Sequence, residues 1–297
     1  MPHRALATAA GTLQLGGRPL LMGIVNASTD SFSDAGAYPD LGARVAFARE
    51  LLAQGADLLD VGGESAITRR APVETGVEIE RVAPLVARLV EELGAVVSVD
   101  TYKPVVAEAA IAAGASIVND VSGLRDPELA AVCARTGAGL VVMHTRAAPK
   151  QRLQDRALYE DVTADVAAFL AERIEVAREQ GVRDEQIVLD PGPDFSKTPA
   201  QTIAVLRRFA ELHELGRPLL LAVSRKDFVG ALTRRGPRER LAGTLAATGF
   251  GVDAGAHILR VHDVAHTAEY LRVRAALRGD LEVDPALMLD EALRHAR

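Results

Sequence analysis

Residues Val96–Gly123 read VVSVDTYKPVVAEAAIAAGASIVNDVSG. Two short apolar runs, Val96–Thr101 and Ser116–Val121, bracket a stretch with helical periodicity that stops at Gly114. Nearly continuous Val, Ile and Ala, without strict alternation, is the pattern of strands buried on both faces. Glycine just past a periodic segment is a usual helix terminator. Strand, helix and strand in so short a span predict parallel strands joined by a helical crossover. Each run also ends on polar side chains, Asp100 in the first and Asn119-Asp120 in the second.

The same unit repeats in both directions. Further strand-length apolar runs are Leu20–Asn26, Asp57–Gly62, Leu140–Thr145, Ile187–Pro191, Leu219–Ser224 and His257–His262. Helical stretches such as LGARVAFARELLAQG and YEDVTADVAAFLAERIEVAREQG separate them, and Gly55, Gly94 and Gly181 stand at helix ends. An open doubly wound sheet shares this alternation, but eight units in about 250 residues are the count and size of a TIM barrel. The fold expected is therefore α/β, a (β/α)8 barrel forming a single domain over 1–297, with its core at about 18–279. ATAAGTLQLGGRPL, with Gly16-Gly17 as a turn, predicts a short N-terminal hairpin closing the bottom of the barrel. VDPALMLDEALRHAR, from Val283 on, predicts a C-terminal extra helix.

Composition narrows the function. The chain has 297 residues, 48% hydrophobic, and a formal net charge of -6. Mild acidity argues against a nucleic-acid or anionic-membrane surface, which calls for a basic stripe. No apolar run approaches the length of a membrane span, and the N-terminus lacks the apolar region of a signal peptide. The one cysteine, Cys133, makes neither an intramolecular disulfide nor a cysteine metal site, which suits a reducing cytoplasm.

Chemistry in such barrels sits at the C-terminal ends of the strands. The tips here are Asn26, Gly62-Gly63-Glu64-Ser65, Asp100, Asn119-Asp120, Met143-His144, Asp190, Ser224-Arg225-Lys226, and Arg260 with His262. Singly, Asp100 could cap a helix and His144 could be a core histidine. Eight polar tips on one rim have no such simple structural account. Carboxylate and amide oxygens suit the N–H edge of a heterocycle, and arginine can stack on a ring while binding an anion. Arg, His and Asn together suit phosphate oxygens. There is no nucleophile elbow, GxGxxG or Walker loop. The residues alone thus point to a barrel enzyme for a polar heterocycle and a phosphate-like group.

At these residues a family resemblance appears. GIVNASTDSFSDAG, DVGGES, SVDT, VNDVSG, LDPG, SRKDFVG and RVHDV resemble, in order, the motifs of the dihydropteroate synthases. The resemblance runs from about Leu20 to Leu277. It implies a cytoplasmic transferase that joins 4-aminobenzoate to 6-hydroxymethyl-7,8-dihydropterin diphosphate with Mg2+, releasing pyrophosphate. It places Asp100, Asn119, Met143, Asp190, Lys226 and Arg260 around the pterin. Of these, Asp100, Asp190, Lys226 and Arg260 would be catalytic. Asn26, Arg260 and His262 would hold the diphosphate, and Asn26 would help place Mg2+. Phe195 and Ser224 match positions beside the aminobenzoate. Asp30, Ser31, Phe32 and Asp34 fall in a loop that would close over the site. The family habit is a homodimer and a sulfonamide target.

The sequence departs from the pattern on the aminobenzoate side. Ala66 and Ile67 follow Ser65 where Thr and Arg are usual, so Thr68 and Arg69 are expected to supply that function by a shift of two. Pro193-Asp194-Phe195-Ser196-Lys197 replaces a glycine-rich run. These changes keep open a catalytically weak pterin-binding paralogue. A methyltetrahydrofolate-binding methyltransferase domain is the other alternative, although such domains carry Ser-Asn where Ser224-Arg225-Lys226 stands.

Overall fold

The eight apolar runs all form strands, and they lie side by side in one parallel sheet. A computed structural model describes residues 5–27, 40–64 and 71–294. An N-terminal pair, β1 (Ala5–Thr8) and β2 (Gly11–Gln14), precedes β3 (Leu20–Asn26), α1 (Leu41–Ala53), β4 (Leu58–Gly62) and α2 (Thr75–Leu93). Then come β5 (Val97–Asp100), α3 (Pro104–Ala112), β6 (Ile117–Asp120), α4 (Glu128–Thr136), β7 (Gly139–Met143) and α5 (Val162–Glu179). The chain continues through β8 (Ile187–Asp190), α6 (Pro199–Arg207), β9 (Leu220–Leu221), α7 (Asp227–Thr233), α8 (Leu241–Asp253), β10 (Ile258–Val261) and α9 (Val264–Arg278).

The sheet order is β8-β7-β6-β5-β4-β3-β10-β9. A parallel bridge between Leu189 and Leu219, with Leu189 N–H donating to Pro218 O at 2.9 Å, joins the two ends into a barrel. Helices start and stop where local chemistry says they should. Asp161 accepts from Thr163 and Ala164 N–H at the start of α5, and Thr198 forms a capping box with Gln201 at α6. Gly94, a left-handed cap (φ 60), ends α2, a conformation glycine adopts without steric cost.

Two apolar layers follow from the double-sided burial. Leu6, Leu15, Met22, Leu58, Ile117, Val141, Val188, Leu220 and Ile258 fill the barrel interior. A larger layer, including Val61, Leu85, Val99, Leu140, Leu189 and Phe209, lies between strands and helices. Leu6 belongs to the N-terminal hairpin and Leu15 to the segment leading out of it, so this region plugs the interior from below.

Three expectations are corrected. The hairpin turns at Ala9-Ala10, between Thr8 and Gly11, and Gly16-Gly17 lies in the link to β3; the register Thr8↔Gly11 leaves only two residues for the turn. The expected strand Leu219–Ser224 is cut to Leu220–Leu221, because Lys226 N–H donates back to Val223 O and Arg225 turns left-handed (φ 59). The C-terminal extra helix does not form. Up to residue 294 the tail holds only a 3-10 turn, Glu291–Leu293. Asp284 captures Ala286 N–H with its carboxylate (2.8 Å) and Leu287 N–H with its carbonyl (2.9 Å). Leu287, Met288 and Leu289 stay exposed, and a helix with no surface to pack against gains little in water.

Candidate active site

Strand register puts the polar tips in one ring. Asn26 pairs with Gly62, Gly62 with Asp100, and Asp100 with Asn119, while Met143 pairs with Asp190. Laterally paired residues of a parallel sheet share a face, so this row faces inward at the C-terminal mouth. There a cleft of about 670 Å³ opens, lined among others by Asn26, Asp100, Asn119, Met143, Asp190, Phe195, Ser224, Lys226, Arg260 and His262. The barrel therefore brings all of the described sequence-derived site residues to one cavity. Asp30, Ser31, Phe32, Asp34, Thr68 and Arg69 lie outside the described residues.

Arg260 is the electrostatic centre. Its Nη2 donates to Asp100 Oδ2 (2.8 Å) and its Nε to Asp60 Oδ2 (2.6 Å), which also accepts from Asn119 Nδ2 (3.1 Å). Burial disfavours the guanidinium charge, but Asp60 and Asp100 outweigh it and hold its pKa above the ordinary value. Asp100 is pushed up to about 7, first by burial, against Arg260 and with Asp60 as a like charge. Two carboxylates sharing one cation favour a proton on one of them.

Across the cleft, Asp190 Oδ1 accepts from Gly192 N–H (2.7 Å), and burial raises its pKa. The Lys226 ammonium stands 4.3 Å over the Phe195 ring, a cation–π geometry. Its pKa is lowered by burial, partly offset by Asp194 and Asp190. Ser224 Oγ accepts from His262 N–H (3.2 Å) and lies 3.0 Å from His262 Nδ1. Burial, then Arg225 and Arg260, press His262 down to about 3. His262 is thus neutral near pH 7 and offers an N–H donor to an anion. Arg225 forks onto Asp263 (2.6 and 3.0 Å) and is a structural tie. It sits in a turn (φ 59) at the edge of the cleft, which it helps to line.

His144 is the core histidine among the tips. It is fully buried, with Nδ1 2.7 Å from Lys197 Nζ and Nε2 3.1 Å from Asp165 Oδ1. Lys197 Nζ also donates to Gly192 O (3.0 Å) and Phe195 O (3.1 Å), so the β8–α6 turn wraps around a buried ammonium. Gly192 (φ +63) is required there, since any Cβ would strike the His144 carbonyl oxygen.

Several functional neighbours escaped sequence reasoning. Asp60 had a signal: a carboxylate in the middle of the apolar run LLDVG needs a buried partner. Glu64 was read only as part of the rim, without its partners. It joins Lys103 (3.1 Å) and Lys150 (2.9 Å), and so ties the β7–α5 loop to the far rim. Arg240 had no signal. It reaches from the start of α8 to the carbonyls of Arg225 (2.8 Å) and Lys226 (3.1 Å) and lines the cleft.

With this geometry in place, comparison decides the family. Residues 22–262 match the model of the pterin binding enzyme family. A dihydropteroate synthase of Bacillus subtilis is 40% identical over 261 residues, covering 88% of this chain and 89% of that one. The chain belongs to the dihydropteroate synthase family. The structure of the Xanthomonas albilineans dihydropteroate synthase with 4-aminobenzoic acid superposes with a TM-score of 0.85 at 41% identity. It covers 93% of this chain and 98% of that one. The same enzyme in complex with 7,8-dihydropteroate gives a TM-score of 0.81 at 39% identity, with 93% and 98% covered. The synthase fold of those relatives is the (β/α)8 barrel found here, and the activity is that of a dihydropteroate synthase, a transferase of folate biosynthesis.

Proposed function

We propose that this chain condenses 6-hydroxymethyl-7,8-dihydropterin diphosphate with 4-aminobenzoate, giving 7,8-dihydropteroate and pyrophosphate. The observation that carries the reading is the convergence of Asp100, Asn119, Asp190, Lys226 and Arg260 on one cleft. Asp100, Asn119 and Asp190 face the N–H edge of the pterin, Lys226 its carbonyl and ring nitrogens, and Met143 its face. Arg260 spans the pterin and the diphosphate, with Asn26 and the neutral His262 as further anion ligands. Phe195 and Ser224 flank the arylamine. Thr68 and Arg69 are assigned to the same side, and the loop of Asp30, Ser31, Phe32 and Asp34 to covering the site. A changed loop path there would weaken sulfonamides, which mimic the arylamine.

In the reaction the methylene carbon–oxygen bond breaks, and its electron pair leaves with pyrophosphate. The arylamine lone pair forms the new carbon–nitrogen bond, and the nitrogen then gives up a proton. Arg260 stabilises charge growing on the leaving oxygen, while Asp100 and Asp190 stabilise the positive charge shared by the ring. The arylamine needs little activation, so positioning in a dry cleft dominates.

Mg2+ fits this site through the substrate. Among the described residues no group of three or more His, Cys, Asp or Glu could hold a metal. Asn26 offers one hard oxygen donor, and Mg2+ is commonly bound by few protein ligands plus phosphate oxygens and water. When bound it would offset diphosphate charge.

The chain is also proposed to act as one domain and as a homodimer in the cytoplasm. An apolar groove between α6, α7 and α8, lined by Ile203, Leu206, Val229, Leu232 and Phe250, supports self-association; Leu232 is 67% and Phe250 51% exposed. No described helix is long and apolar enough to cross a membrane. The deciding experiment is pyrophosphate release from the pterin diphosphate. It should depend on 4-aminobenzoate, and release indifferent to the arylamine would sink the proposal.

A further inference from the structure

Two residues of the β8–α6 turn hold backbone conformations that favour glycine. Asp194 (φ 66) and Ser196 (φ 53) both lie in the left-handed region, which costs a side-chain-bearing residue conformational energy. Each makes bonds that glycine could not. Asp194 Oδ2 accepts from the N–H groups of Asp227 (2.5 Å) and Phe228 (3.3 Å), and its Oδ1 accepts from the Thr202 hydroxyl (3.2 Å). Ser196 Oγ accepts from Arg146 N–H (3.0 Å) and Ala147 N–H (2.9 Å) and lies 3.2 Å from Thr145 Oγ1.

The two ties pull in different directions. One fastens the turn to α7, whose first residue follows Lys226. The other fastens it to the β7–α5 loop, where Ala147 and Lys150 wall the cleft. Phe195 sits between them under the Lys226 ammonium, with its carbonyl held by Lys197. Fixing both neighbours of an aromatic residue leaves its backbone one path and its ring one place against the cation.

We infer that Asp194 and Ser196 are positioning residues for the second-substrate subsite, holding the Phe195 ring in place against the arylamine. The inference rests on the assignment of Phe195 and Ser224 to the arylamine side. A purely stabilising role predicts something different from glycine substitution. Glycine removes the ties but also relieves the left-handed backbone, so the two effects oppose each other in stability. Positioning has no such compensation.

The test uses the full chain with Asp194→Gly, Ser196→Gly and Asp194→Asn, since asparagine tolerates the left-handed region and keeps an oxygen for the α7 amides. Amide hydrogen exchange should speed up at residues 227 and 228 in Asp194→Gly, and at 146 and 147 in Ser196→Gly. KM for 4-aminobenzoate should rise about tenfold in each glycine variant, and KM for the pterin diphosphate should stay within about twofold. Thermal midpoints should hold within about 3 °C, and Asp194→Asn should stay within about threefold of the parent. Unchanged KM for 4-aminobenzoate in both glycine variants overturns the inference. So does a large midpoint loss that asparagine fails to rescue, which would make the ties structural. If the parent chain shows no arylamine-dependent pyrophosphate release, the functional reading fails instead, and the exchange data still tell whether the ties hold the turn.

Discussion

Replacing Asp60 by asparagine should lower kcat/KM about 30-fold and move the acid limb of its pH profile downward. Asp60 is fully buried; its Oδ2 serves both Arg260 and Asn119, and its Oδ1 has no hydrogen-bond partner among the described residues. An asparagine carbonyl at the Oδ2 position keeps both contacts but loses charge assistance toward Arg260 and buries an unpaired NH2 at the Oδ1 position. The opposite orientation sets an NH2 against two donors. Either way the loss is about 2 kcal/mol, which at about 1.36 kcal/mol per tenfold gives the factor stated. The pH effect has a definite sign. Asp60 raises the Asp100 pKa as a like charge and competes for Arg260, which lowers it. Neutralising Asp60 removes the first and strengthens the second, so the pKa must fall from about 7. The working form is the Asp100 anion, so the parent loses kcat/KM as pH drops through that value, and the variant loses it later. The assay is pyrophosphate release at limiting pterin diphosphate from about pH 5.5 to 9, which reports the free enzyme. Titration of the substrate's own phosphates is common to both proteins and drops out of the comparison. A limb that stays in place or moves upward would refute the coupling of Asp60, Arg260 and Asp100.

Lys226→Ala and Asp190→Asn should each lower kcat/KM by at least ~10²-fold with the fold intact by circular dichroism; near-parent turnover in both would end their assignment to the pterin. Pyrophosphate should bind the free chain by calorimetry, more tightly with Mg2+, and Arg260→Ala should weaken it by about tenfold or more. Equal affinity in that variant would remove Arg260 from the anion site. Phe250→Asp should shift the chain from dimer to monomer in sedimentation, because a charge in an apolar interface has no partner; an unchanged mass would exclude the α6–α8 groove as the contact.

Fold and rim were both legible because they rest on local pattern. Consecutive apolar residues mark strands buried on two faces, glycines close helices, and a barrel delivers strand ends to one mouth whatever its side chains. Asp100, Asn119, Asp190, Lys226 and Arg260 could therefore be named from position alone. The C-terminal helix was misread because the tail has helical composition, yet its described apolar residues Leu287, Met288 and Leu289 are exposed and cover nothing, and composition does not report partners.

What the tertiary structure alone decided is which of these groups share charge. Asp60 and Arg260 are 200 residues apart in the chain, and no periodicity connects them. Their contact exists because β4 and β10 both flank β3, and it sets the state of Asp100. His262 carries the residue type of a cation, yet burial beside Arg225 and Arg260 keeps it neutral. Asp194 and Ser196 looked like substitutions in a loop until their φ angles and their bonds to α7 and the β7–α5 loop were visible. Residue type and spacing determine which groups reach the mouth of the barrel. Protonation and rigidity depend on distances of a few ångströms between distant segments, because electrostatic and hydrogen-bond energies fall away over that range.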